Sequence, residues 1–366
     1  MSEEVRKYAD DDTDLVKGRP ENKLNIDTEI VDCDAHIREA VEDLLPYVPD
    51  GEERRYIESP YFQYPTDGWD RSAGGRSGYA TVRGPEQEEQ VMDDLSLDVS
   101  IITPTMNLYH GLLGNKEVAN TLARAFNDYI VDEWLDYDST KFKSGVLVPV
   151  HDPEVGAEEI DKHGDQEGIV GVCLNPLGPE KALGDERYDP IYEAAERHDL
   201  TIIMHGAATT HSSYPNQTNY FHKFLEVHTA SHVFQQMTQV ISLISRGVVE
   251  RFPDLRFVCL EAGLCWVPII YRLDEEFLAR QNEAPDLEKL PSEYFKDQFW
   301  VASQPLEETA NVEAMAELAG GWENILFATD WPHWDFDSPA VVQDMVPSEH
   351  QNQVWSENAY DAFPQL

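Results

Sequence analysis

Short apolar runs recur along the chain, and each is followed by a stretch whose apolar residues return at helical spacing. The first run, Glu29 to His36, reads as a strand in which Val31, Cys33 and Ala35 alternate with Asp32, Asp34 and His36. Further strands are expected at 99–102, 145–150, 169–174, 201–204, 256–260, 299–302 and 325–328. Between them the pattern predicts helices at 38–47, 87–97, 116–137, 153–163, 189–198, 231–252, 266–280 and 307–319. Two more are expected near 338–346 and 349–362. Asp152 is positioned to cap the 153–163 helix, Asp189-Pro190 to open the 189–198 helix, and Gly320-Gly321 to stop the 307–319 helix. Residues 281–297 read as a polar excursion.

Strand and helix units in alternation imply a parallel sheet, and eight of them imply a closed (β/α)8 TIM barrel over residues 29–366 as a single domain. An open doubly wound sheet is the alternative. It is disfavoured because no Gly-x-Gly-x-x-Gly follows the first strand and no Walker loop occurs. Three segments break the rhythm. Residues 1–28 are polar, with Asp10-Asp11-Asp12, and read as a mobile acidic N-terminal arm. A long insertion at about 49–85 follows the first strand. It carries Pro60-Tyr61-Phe62 and Gly74-Gly75-Arg76-Ser77-Gly78, a composition that favours a pocket lid over a spacer. An excursion at about 207–231, rich in Thr, Ser, His and Asn and holding a short helix, follows the fifth strand.

The candidate chemistry lies where these strands end, the face at which (β/α)8 barrels build their active sites. Strand one ends in Asp34-x-His36, a spacing that puts both side chains on one face of an extended chain. Strand five ends in His205, strand six in Glu261 and strand eight in Asp330. Each has an ordinary structural reading, such as a capped helix or a core histidine. Their joint occurrence at independently read strand ends points instead to N/O ligation of one divalent metal, with a position left for water or substrate. Around them, Trp266, Trp331, Trp334, Tyr61 and Phe62 are candidates for an aromatic rim suited to a flat substrate. His333, His211, His222, His228 and His232 are candidates to face it.

The pattern resembles the amidohydrolase superfamily, in the branch that includes aminocarboxymuconate-semialdehyde, resorcylate and carboxyvanillate decarboxylases. The matching pieces are Val31-Asp32-Cys33-Asp34-Ala35-His36, Asp189-Pro190-Ile191-Tyr192, Ile203-Met204-His205-Gly206, Arg251-Phe252-Pro253-Asp254-Leu255-Arg256-Phe257, Leu260-Glu261-Ala262-Gly263 with Trp266, and Phe327-Ala328-Thr329-Asp330-Trp331-Pro332-His333. The resemblance covers about residues 29–361 and implies Asp34, His36, His205 and Asp330 as metal ligands. It also implies a small-molecule substrate, aromatic or unsaturated, and a homodimer or higher homo-oligomer. Relatives carry His or Glu where Asp34 stands, which moves the set toward oxygen. Zinc is the expected ion and manganese the alternative. The decarboxylases place a substrate-facing His where this chain has Glu261, and a carboxylate there repels a substrate carboxylate unless it is protonated or paired. The sequence therefore favours metal-assisted hydrolysis with Asp330 as proton-transfer group and Glu261 and His205 beside it in the catalytic set. Non-oxidative decarboxylation on the same ligands is the alternative, and an inactive barrel serving as a binding protein is the third reading.

Composition narrows the setting. Cys33, Cys173 and Cys259 sit in apolar runs, Cys265 stands apart, and no Cys-x-x-Cys occurs, so free thiols are expected. No apolar run approaches the roughly 18 residues of a membrane span, and the N-terminus lacks a signal-peptide pattern; a cytoplasmic protein is expected. Asp and Glu total 70 against 27 Lys and Arg, a net charge of −43, spread along a chain that is 41% hydrophobic. That balance excludes disorder and disfavours nucleic acid and anionic membrane as partners. It fits a folded protein of a salt-saturated, halophilic cytoplasm, where cations screen the self-repulsion. The midpoint of thermal unfolding is accordingly expected to rise steeply with KCl up to molar concentration. A midpoint independent of KCl would contradict that reading.

Overall fold

A computed structural model describes residues 28–64, 84–209, 218, 220–305, 312, 313, 316, 317, 320–333 and 335–366. Eight strands form one sheet in sequence order: β1 (Val31–Ile37), β2 (Val99–Pro104), β3 (Phe142–Leu147), β4 (Ile169–Cys173), β5 (Thr201–His205), β6 (Phe257–Leu260), β7 (Phe299–Ala302) and β8 (Ile325–Leu326). Every neighbouring pair from β1·β2 to β7·β8 is parallel. The last strand returns to the first through Cys33 N–H to Phe327 O (3.0 Å), Asp330 N–H to Asp34 O (2.8 Å) and His36 N–H to Trp331 O (2.6 Å). The fold is a (β/α)8 barrel.

All seven residues of β1 are buried, as are all residues of the other strands. Barrel strands are covered on both faces, by the filled interior and by the outer helices, so apolar runs rather than polar alternation mark them. Alternation survives only where the barrel interior is polar. In β1 the set Asp32, Asp34 and His36 reaches groups on β5 and beyond β8, while Val31, Cys33 and Ala35 join the apolar core. Cys33, Cys173 and Cys259 are buried free thiols, as expected, and Cys265 is exposed. No described helix is long and apolar enough to cross a membrane.

Several expected boundaries move. Strand three begins at Phe142 rather than Gly145, because Phe142 packs edge-on against Trp134 at 5.4 Å and joins the sheet. The helix after β5 starts at Phe224, not Ser231, and runs to Ser245. In its first turn Leu225 is 73% exposed and Val227 buried, so the apolar residues there trace no single face. The excursion at 281–297 holds a helix, Pro291–Gln298, whose Phe295 stacks on Phe299 at 5.3 Å. Asp152 precedes its helix without capping it; its carboxylate takes Lys116 Nζ (2.8 Å) and Asn120 Nδ2 (3.0 Å) instead. Asp189 likewise binds Arg251 (2.7 Å). The arm at 1–28, apart from Thr28, and the part of the insertion at 65–83 lie outside the described residues. So do 210–217 and 219 of the excursion and most of the 307–319 helix.

Buried amides fix the strand ends that matter for function. Gln236, on the Phe224–Ser245 helix, donates through Nε2 to Met204 O (2.7 Å) and Leu260 O (3.1 Å), one residue short of His205 and of Glu261. Replacement by Leu leaves two buried carbonyls without donors, at about 1–3 kcal/mol each. Gln236→Leu is therefore expected to lower the thermal midpoint by several degrees, and an unchanged midpoint would contradict the assigned role.

Candidate metal centre

Asp34 and His36 stand on β1, His205 closes β5, and Asp330 follows β8. One donor atom from each of the four lies within 4.8 Å of the others, and all four side chains are buried. His36 Nε2 is 2.9 Å from His205 Nε2, 3.1 Å from Asp330 Oδ1 and 3.3 Å from Asp34 Oδ1. His205 Nε2 is 3.3 Å from Asp34 Oδ2. The sequence placed these residues at separate strand ends, and the barrel brings all four together.

The other ring atoms decide what the cluster can hold. His36 Nδ1 meets Pro104 O at 2.9 Å, and His205 Nδ1 meets Gly206 O at 2.7 Å. A carbonyl oxygen only accepts, so both Nδ1 atoms carry hydrogen and both neutral rings aim Nε2 lone pairs at one point. Two carboxylates face the same point, and Asp34 Oδ2 is buried there without a hydrogen-bond partner. Converging acceptors repel unless a cation lies among them. The donor set therefore fits a divalent ion bound by two imidazoles and two carboxylates.

The surrounding electrostatics agree with that fit. Burial, with His333 and His205 nearby, pushes His36 well below the usual imidazole range and leaves its lone pair free. Burial also disfavours charge on His205, but Asp34 and Glu261 outweigh it and raise the ring to about 9. A bound cation takes the place of that proton. Asp330 is pushed well above the carboxylate range by burial and by Glu261, Asp335 and Asp34. His333 Nδ1 sits 2.6 Å from Asp330 Oδ1, and Gln304 Nε2 donates to Oδ2 at 3.2 Å. Asp330 (φ 60°) and Glu261 (φ 49°) both adopt the left-handed region, which costs roughly 1–2 kcal/mol for a residue with a side chain. Such strain at two strand-end carboxylates is characteristic of functional positions.

Glu261 is not part of the four-residue cluster. It is buried, and its carboxylate meets His232 Nε2 (3.0 Å), His205 Nε2 (3.6 Å) and His228 Nε2 (3.8 Å). Burial alone would raise its pKa, but His232 and His205 pull it well below the usual range, so it stays ionised and compensated. The sequence left the pairing of Glu261 open, and with the helix read from Ser231 it did not place His228 on the same helix as His232. Beginning at Phe224, the helix puts His228 and His232 one turn apart on the face toward Glu261.

The expected aromatic rim is corrected. Trp266 is in the core, edge-on to Phe295 at 6.0 Å, with Nε1–H donating to Gly263 O (3.0 Å). Trp331 is fully buried against Phe336, Phe62 packs between Tyr56 and Tyr64, and Tyr61 is exposed. His222 is exposed, and Trp334 and His211 lie outside the described residues. Three contributors went unread. Thr103, at the end of β2, hydroxyl-bonds Asp34 Oδ1 (3.0 Å). Gln304 occupies the strand-seven end, the same kind of position that singled out the others. Asp335 lies two residues past His333 and 3.6 Å from His228.

The fold and the buried cluster of metal-type donors are those of a barrel enzyme of the amidohydrolase superfamily. The chain belongs to the amidohydrolase family Amidohydro_2, whose model matches residues 31–365. Among its relatives is the gamma-resorcylate decarboxylase of Polaromonas sp. (strain JS666), 21% identical over 266 residues that cover 70% of this chain and 79% of the relative. The enzyme of the same name from Rhodococcus jostii (strain RHA1) is 23% identical over 260 residues, covering 66% and 75%. The 5-carboxyvanillate decarboxylase LigW of Sphingomonas paucimobilis has the same fold, with a TM-score of 0.73 at 21% identity, covering 92% of this chain and 99% of that one. A dihydroxybenzoic acid decarboxylase from Polaromonas sp. JS666, solved with bound manganese and 2-nitroresorcinol, aligns with a TM-score of 0.69 at 17% identity, covering 92% and 97%.

Chelator-stripped protein is expected to gain thermal stability on adding Mn2+, by about 2.7 kcal/mol at a hundredfold excess over Kd. Affinity is expected to rise with pH toward about 9, as His205 loses its competing proton. His36→Ala should remove most of the shift. A stripped protein indifferent to divalent ions would contradict the reading of the cluster.

Proposed function

We propose that this protein is a metal-dependent, non-oxidative decarboxylase of small hydroxylated aromatic acids. Asp34, His36, His205 and Asp330 are its metal ligands, and manganese is the favoured ion. The observation that carries this reading is the pairing of Glu261 with His232, whose Nε2 lies 3.0 Å from the carboxylate. An unpaired carboxylate at the end of β6 would repel an anionic substrate, and that repulsion was the ground for preferring hydrolysis. Compensated by imidazoles, it no longer sets that barrier. The relatives named as resorcylate and carboxyvanillate decarboxylases support the same choice, as does manganese in the solved neighbour.

When bound, the ion supplies positive charge that orients the substrate carboxylate and an adjacent hydroxyl oxygen. The protein supplies the proton. Asp330 delivers it to the ring carbon bearing the carboxylate. The carbon–carbon bond then breaks, its electron pair returns to the ring, and CO2 leaves. Asp330 regains a proton through His333, whose Nδ1 lies 2.6 Å away and whose side chain is 26% exposed and so within reach of water. Gln304 holds the second Asp330 oxygen in place. Thr103 and the carbonyls of Pro104 and Gly206 fix the ligand rings and carboxylate.

The manganese-loaded protein, assayed in molar KCl, is expected to release CO2 from one or more of a panel of ortho-hydroxybenzoates. It is expected to leave amides, esters and lactones intact. Asp330→Asn should lower kcat by at least about a hundredfold while the fold is kept. Turnover confined to the amide, ester or lactone panel would overturn the decarboxylase reading in favour of hydrolysis.

A further inference from the structure

A second group of metal-type donors borders the first. His228 and His232 lie one turn apart on the Phe224–Ser245 helix, with ring centroids 5.4 Å apart. Both direct Nε2 at Glu261, at 3.8 Å and 3.0 Å. His228 Nε2 is also 3.6 Å from Asp335 Oδ2. Donor atoms about 2.1 Å from a tetrahedral ion stand roughly 3.4 Å apart, and these separations straddle that spacing. An ion pair between His232 and Glu261 does not account for Asp335, whose Oδ1 is buried without a hydrogen-bond partner. Among the described residues no lysine or arginine pairs with Glu261 or Asp335. Two low-exposure carboxylates thus lie beside imidazoles, with no lysine or arginine among their described partners, and a divalent ion would favour the ionised form of both.

We propose that His228, His232 and Glu261, whose donor atoms lie within 4.8 Å of one another, hold a second divalent ion, with Asp335 beside His228 and the Glu261 carboxylate standing between this site and the first. Two imidazoles and one carboxylate, with the Asp335 carboxylate beside them, suit the same borderline ions as the first cluster, zinc or manganese. Glu261 Oε2 is 3.6 Å from His205 Nε2, so the two sites share a border. The second site draws its histidines from a single helical turn and its carboxylates from the loops after β6 and β8. Its ligands are independent of β1, and the inference does not depend on whether the reaction is decarboxylation or hydrolysis.

The test is metal content after equilibration of chelator-stripped protein with Mn2+ in molar KCl and removal of loose ion. The wild type is expected to hold about two ions per chain, the His228→Ala/His232→Ala double variant about one, and His36→Ala about one. Asp335→Asn, nearly isosteric and less disruptive, should weaken the second ion at least about tenfold in a titration with the first unaffected. Electron paramagnetic resonance of the doubly loaded protein should show the broadened signal of two neighbouring Mn2+ ions. A wild type that binds one ion, retained in the double histidine variant and lost in His36→Ala, would overturn the second site and leave the first standing. One ion lost in the double variant and kept in His36→Ala would support the second site and remove the first.

Discussion

The junction between the first and last strands is the constraint on which the site depends. Asp34 and His36 come from the start of the chain and Asp330 from near its end, so their meeting requires the barrel to close in one register. Three backbone hydrogen bonds set that register, and the Asp32 carboxylate secures it. Asp32 accepts from Thr329 N–H (2.8 Å), from the Thr329 hydroxyl and from Asp34 N–H (3.1 Å), tying both strands from a position 297 residues away in sequence. Burial raises Asp32 to about 7 against the pull of those donors, a measure of how completely the junction excludes water. A one-residue slip would turn Asp34 and His36 out of the centre together.

Charge acts in two regimes in this molecule. On the surface, acidic excess is met by scattered pairs such as Arg197 with Asp161 and Arg246 with Asp185, which contribute little individually in high dielectric. Inside the barrel mouth, Asp34, Asp330, Glu261 and Asp335 are gathered without a lysine or arginine among their described partners, where each uncompensated charge is far more costly. Imidazoles and bound cations are the groups that balance them there. Salt screens the exposed pairs of the shell far more than the buried groups of the site.

The barrel was legible in the sequence because its strands are buried on both faces, which makes them short apolar runs. Phe299–Ala302 was read to the residue for this reason, and the helix Pro153–His163 was read to the residue from its opening proline and helical spacing. The four-residue cluster was legible because every member closes or follows a strand. What escaped notice depended on long-range contact. The first turn of the Phe224–Ser245 helix mixes exposed Leu225 with buried Val227, so it shows no single apolar face in sequence, and His228 read as a loop residue. The pairing of Glu261 then stayed open, which tilted the chemistry toward hydrolysis. The tryptophans erred in the opposite direction. Next to catalytic motifs they resembled a rim, but Trp266 and Trp331 fill space behind the site.

The most direct test of the account is the position of the bound ion itself. Crystals grown in molar KCl with manganese, measured at the manganese absorption edge, are predicted to show an anomalous peak enclosed by Asp34, His36, His205 and Asp330, within about 2.2 Å of their donor atoms. A fully equilibrated crystal with no peak among those four residues would contradict it.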